Sequence, residues 1–174
     1  MSASISVTET QLYTALRSLL LSLLSCPVIQ TQQNRAAMPT GAFCAMTSLG
    51  TYGLSTDKPA YSPTSGSESH TRATRWDVQL DFYGPNATDN ANLIATMVKS
   101  DYACTQLASA AIEIQPLYAN DPRQMSIVNA EQQYEKRWIV EASFQFNPVI
   151  SVPQDFANSL TVIPAEIDAV FPPA

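Results

Sequence analysis

One histidine, five glycines and three scattered cysteines in 174 residues leave most catalytic designs without their parts. A hydrolase or transferase needs a nucleophile, a base and a group that orients the base. His70 is the sole imidazole, and in its Ser/Thr-rich surroundings it reads as a solvated side chain. Cys26, Cys44 and Cys104 are odd in number and lack C-x-x-C spacing. They read as small buried apolar residues in a reducing compartment, not as a zinc or disulfide frame. The dispersed glycines form no phosphate-binding loop. Asp77 and Asp81 share one face of a predicted strand, but four steps of about 3.3 Å hold them ~13 Å apart, too far for a shared ion. A solvated strand face is the expectation there. No catalytic residue, metal ligand or cofactor is expected.

Charge is scarce too. Charged residues make up 14% of the chain, against about 25% in ordinary domains. The deficit points to a surface covered by other subunits; a Ser/Thr-rich monomer surface is the alternative. The net charge of −6 gives no counterion-release free energy on phosphates, which argues against specific nucleic-acid binding. Basic and aromatic residues do not interleave as a single-strand binder requires. The most apolar run, Leu12 to Ile29, is interrupted by Arg17, three serines and Pro27, too short and broken to span a bilayer. No basic residue precedes it, as a signal peptide would require. A soluble protein of the cytoplasm is expected.

What is present is periodic. Thr8 and Gln11 have capping-box spacing, and Leu12, Leu16, Leu20 and Leu24, with Tyr13, Leu19 and Leu23, share one helical face. A helix over 9–25 follows, stopped by Pro27. Short strands are expected over 28–33 and 41–52. From Ser55 to Thr74, 12 of 20 residues are Ser, Thr, Pro or Gly, which reads as a long flexible loop. Residues 75–83 alternate, with Trp76, Val78, Leu80 and Phe82 on one face, and end at Gly84-Pro85. Asn86 or Thr88 caps a second helix running to Lys99 or slightly beyond. Residues 111–118 form a short strand broken at Pro116. The longest alternation follows, with Tyr134, Trp138, Val140, Ala142, Phe144 and Phe146 on one face and Ile139 as the exception on the other.

The last 28 residues hold five prolines among many apolar side chains. Prolines at that density refuse helix and central strand alike. An extended arm on a groove of its own or a neighbouring subunit, or an irregular cap on its own core, both fit. The fold class is therefore α+β: an antiparallel sheet of about four to five strands with two helices packed on one face, plus an extended C-terminal arm. Residues 1–147 form the single domain, with the flexible loop at 55–74, and residues 148–174 the Pro-rich arm.

One stretch concentrates charge. Tyr118 to Trp138 holds Asp121, Arg123, Glu131, Glu135, Lys136 and Arg137, six of 24 charged residues. Asp121-Pro122 is a turn signal, with Asn120 or Asp121 free to bond the backbone beyond it. Exposed ion pairs within the chain are one reading, worth little each. The preferred reading is a polar interface in which Arg123 forks onto a carboxylate of a neighbouring subunit. Its candidate residues are Asp121, Arg123, Gln124, Glu131, Tyr134, Glu135 and Arg137.

The pieces QTQQNRAAMPTGAFCAMTSLG, QLDFYGPNATDNA, IQPLYANDPRQMSIVNAEQQYEKRW and FNPVISVPQDFA, in that order, resemble the bacteriophage neck or tail-terminator family. The resemblance runs from about Gln30 to Ala157. It implies a small α+β structural protein of the virion, not an enzyme. It implies a hexameric ring that caps the tail tube, ends tube polymerisation and joins the tail to the neck connector. The implied partners are copies of itself, the tail tube protein, the neck or head-completion protein and the tail sheath. DNA passes the central channel without specific binding, no membrane is involved, and no cofactor is carried over. The implied location is the tail–neck junction of the virion, after assembly in the host cytoplasm. Alternatives are another neck component, such as a head-completion or stopper protein, and a small metal-dependent hydrolase or nuclease.

Overall fold

The computed structural model describes residues 2–34, 37, 39–128, 132–155 and 160–163. The described elements are β1 (Ser4–Ile5), α1 (Glu9–Leu23), β2 (Val28–Gln30), β3 (Phe43–Gly53), β4 (Lys58–Ser62), β5 (Ser67–Thr71), β6 (Thr74–Tyr83), α2 (Ala87–Met97), α3 (Asp101–Ala108), β7 (Ile114–Ala119), β8 (Arg123–Gln124), β9 (Ile127–Val128), β10 (Tyr134–Glu135), β11 (Arg137–Phe146) and β12 (Val149–Pro153). The class is α+β.

Helix α1 begins as its capping box dictates. The Thr8 hydroxyl accepts from the Gln11 N–H, and the Gln11 side chain accepts from the Thr8 N–H at 2.8 Å, satisfying two orphan donors. Leu12, Tyr13, Ala15, Leu16, Leu19 and Leu20 are buried. The helix stops two residues earlier than expected, because Leu24 is already extended ahead of Pro27.

The main sheet has the order β2-β3-β6-β11-β7, with β8 also on β11. Only β2 and β3 run parallel; the remaining pairings of this sheet are antiparallel. Trp76, Val78, Leu80 and Phe82 of β6 and Val140, Ala142 and Phe144 of β11 are buried beneath the helices. Three helices pack there instead of two. Helix α3 is the unexpected one: it is short, and Ala103 and Leu107, four residues apart, are its buried contribution. Strand β7 continues past Pro116 but shifts register there, Pro116 pairing with Phe144 and Tyr118 with Ser143, since an edge strand tolerates a proline at a bulge.

Two further expectations give way. Residues 55–74 are not a loop: β4 and β5 form an antiparallel hairpin, and β5 pairs with β12. The order β1-β12-β5-β4 makes a second sheet, so the C-terminal segment begins as one of its inner strands. Phe156, Ile167, Val170 and Phe171 of that segment lie outside the described residues, while Leu160, Val162 and Ile163 are exposed. The long strand from Tyr134 is also divided. Arg137 pairs with Tyr83, the last residue of β6, after which Gly84 turns the chain away at φ +95°. Tyr134 and Glu135 therefore find no partner on β6 and pair back with Val128 and Ile127. Tyr134 is 82% exposed instead of sharing the core face.

Candidate functional site

The helix-free face of the main sheet carries the polar residues, and register decides which of them meet. Asp81 lies in one row with Ala45 on β3 and Ile139 on β11. Its carboxylate is 3% exposed, against the expected solvated face. Arg137, one pleat away, donates from Nε at 3.0 Å to Asp81 Oδ1, and its Nη2 lies 2.9 Å from the same oxygen as an ion pair. Gln79 Nε2 donates to both carboxylate oxygens. A buried carboxylate needs such partners, because unpaired it would carry the full desolvation cost. Ile139, the apolar exception, is buried in the same row.

Asp77 accepts from Ser143 Oγ at 2.6 Å, and Arg75 Nε lies 3.0 Å from the same oxygen. That N–H is not aimed well enough for a hydrogen bond, so the contact is an ion pair only. The Arg75 guanidinium lies over Tyr52 at 5.0 Å.

Beyond β7 the edge strand bulges at Asn120-Asp121-Pro122 and resumes as β8. Asn120 spans the bulge: its N–H donates to the Glu141 carbonyl, and its Oδ1 accepts the Glu141 N–H at 2.7 Å. Arg123 then reaches Glu141 Oε1 at 2.6 Å. Arg123 and Arg137 each reach a carboxylate of their own chain. Glu141 lies on β11 two residues from Ile139, the register partner of Arg123, and Asp81 lies two residues from Tyr83, the partner of Arg137. Asp121, Arg123, Gln124, Tyr134 and Glu135 are all exposed, and Arg137 is half-buried. Glu131 lies outside the described residues. Composition gave no signal for Met125 and Val128, which are exposed beside Tyr134.

His70 is not simply solvated. Its Nδ1 lies 2.8 Å from Asp57 and its Nε2 3.2 Å from Glu68. The hydrogen bond from His70 is the main cause that lowers the Asp57 carboxyl below its ordinary value. Arg72 Nε donates to the Ser55 carbonyl at 3.1 Å, so the β4–β5 hairpin is tied to the segment before it. Between hairpin, helix α1 and the end of β3 opens a cleft of about 1210 Å³, with Ile5, Val7, Leu54, Phe146 and Ile150 on its walls.

Cys26 and Cys44 are buried free thiols, and burial pushes both above the usual thiol value. Among the described residues no group of three or more His, Cys, Asp or Glu side chains is placed to hold a metal ion. Among them, too, no helix is long and apolar enough to cross a membrane.

A family model described as "Phage neck terminator protein" matches residues 10–168. Among solved structures, the chain is similar to the sheath/tube terminator of an extracellular contractile injection system, PVC, determined by cryo-EM in its extended state, with a TM-score of 0.52 and 9% identity. The likeness covers 94% of this chain and 64% of that one, so this chain spans less than two thirds of that protein's length. At such identity it shows a shared fold alone. No curated protein matches. With the family model covering the chain from the first turn of α1 to beyond β12, the protein belongs to the phage neck terminator family, the tail and neck terminators of bacteriophages.

Proposed function

We propose that the protein forms a closed ring, hexameric as in the expectation from its sequence, on the end of the phage tail tube. There it ends tube polymerisation and offers its other face to the neck connector, with DNA passing through the centre. The observation that carries this is the family match over residues 10–168. Charge is consistent with it: six copies would hold about six times the −6 of one chain, a conduit to which DNA does not adhere. The tail sheath is a further partner in this reading, and the tail–neck junction its place in the virion.

The role is structural and not catalytic. Asp77, Asp81 and His70, the side chains that an enzyme would use, are each engaged with partners of the fold itself. In this reading residues 1–147 are the ring-forming domain and 148–174 an arm that lends β12 to it. The exposed stretch around Asp121, Arg123, Gln124, Tyr134, Glu135 and Arg137 is the proposed interface.

Purified protein added to polymerising tail tube subunits should stop growth at a fixed end, seen as capped tubes by negative-stain imaging. Native mass spectrometry should give a six-subunit species. A strict monomer that neither binds nor shortens tubes would sink the proposal. Binding to the neck connector but never to tubes would favour a head-completion role.

A further inference from the structure

The two sheets are held by different means. No residue of β1, β4, β5 or β12 belongs to the hydrophobic core. Of the residues in those four strands Glu68 alone is buried, and it is polar. All five residues of β4 are exposed. What joins these strands is backbone pairing, β12 with β1 and β5, and β5 with β4. A sheet in water needs a packed apolar face for stability of its own. Backbone hydrogen bonds, exchanged with water, do little more than offset the entropy of ordering the strands. The main sheet has such a face, with Trp76, Phe82 and Phe144 fully buried on it. The second sheet lacks one.

Three stretches of chain cross from the main sheet to the second: residues 54–57 between β3 and β4, 72–73 between β5 and β6, and 147–148 between β11 and β12. Arg72 lies in one of them and bonds to both others. Its N–H donates to the Pro148 carbonyl at 3.4 Å, and its Nε donates to the Ser55 carbonyl at 3.1 Å. The guanidinium lies against Gly53, the last residue of β3, where a Cβ would overlap it. Gly53 is not in the left-handed region, so its missing side chain leaves space for Arg72 and is not demanded by the backbone.

We propose that the second sheet opens and closes as one unit while the main sheet and its helices stay folded, with Arg72, seated on Gly53, as the latch that holds it in place. Opening the second sheet brings almost no buried apolar surface into water, whereas opening the main sheet would expose the core. The latch sits where the three crossings meet, so its release loosens them together. This does not depend on how copies of the chain assemble.

Hydrogen exchange read by mass spectrometry on the full chain, without denaturant, tests the proposal. Paired amides of β4, β5 and β12 should exchange at least about a hundredfold faster than those of β6 and β11. Urea too dilute to unfold the chain should leave that faster exchange unchanged, because local opening exposes little new surface. Arg72→Ala should speed exchange in β4, β5 and β12 by about fivefold, the loss of one net hydrogen bond, with β6 and β11 unaffected. Gly53→Ala should act in the same direction by displacing the guanidinium, and should add nothing in a chain that already carries Arg72→Ala.

Equal protection of the two sheets overturns the proposal, because the second sheet would then open only with the whole chain. Fast second-sheet exchange that Arg72→Ala leaves unchanged overturns the latch. So does a variant in which β6 and β11 speed up to the same degree, since Arg72 would then support the whole fold.

Discussion

Arg137 and Arg123 look alike in the sequence, yet the fold gives them different weights. Arg137 meets a carboxylate that is 3% exposed, whereas Arg123 and Glu141 are 59% and 42% exposed. Removing one partner of a buried pair leaves a charge without water or counterpart, whereas an exposed pair is replaced by solvent. Arg137→Ala should therefore cost about 3 kcal/mol and Arg123→Ala no more than about 1 kcal/mol, measured by urea unfolding. Equal losses would show that Asp81 does not depend on Arg137. The Arg137–Asp81 pair spans 56 positions. Alternation put both residues on polar faces, but no local pattern shows that the two faces are adjacent or that the row closes over Asp81.

At the scale of elements, local signals served well where they were self-contained. The capping box of α1 involves residues three apart, and β6 and β11 announce themselves by alternation of burial. Thr8→Ala should lower stability by about 1 kcal/mol and shift Tm down by roughly 2–4 °C for a chain of this size, read by calorimetry. An unchanged Tm would mean that packing of the α1 leucines alone fixes the helix start. The Ser/Thr-rich hairpin was illegible for the opposite reason. Its strands β4 and β5 carry little apolar alternation, and β5 is held by pairing to β12, some eighty residues later. Short α3 was missed because two buried residues make too brief a period. The break at Lys136 follows from where β6 ends, which is information held in a different strand.

Across the whole molecule, burial sets how stability depends on pH. Burial raises the Tyr13 and Tyr83 phenols above 10.0, their ordinary value, and the Cys44 thiol well above 9.0. Tyr13 also accepts the Ser48 N–H at 2.8 Å, and Tyr83 stacks on Phe43 at 4.4 Å. A group whose folded-state value is raised favours the fold fully below its unfolded value, and that contribution is lost as pH rises through the folded value. Thermal stability should therefore hold to about pH 9 and fall beyond it, first through the thiol and then through the phenols. Tyr13→Phe should flatten the phenol part of that fall, seen by melts between about pH 8 and about pH 11. An identical alkaline profile in the variant would remove Tyr13 from the account.

The sequence by itself determined the α+β class, the inner faces of α1, β6 and β11, the poverty of catalytic groups, and the family through its ordered motifs. These depend on residues near one another in the chain, or on composition. Only the tertiary structure decided that Asp81 is buried and answered by Arg137. It alone assembled residues 4–5, 58–62, 67–71 and 149–153 into one sheet. Pairing and burial between distant segments follow from how the whole chain excludes water, and no short window of residues encodes that.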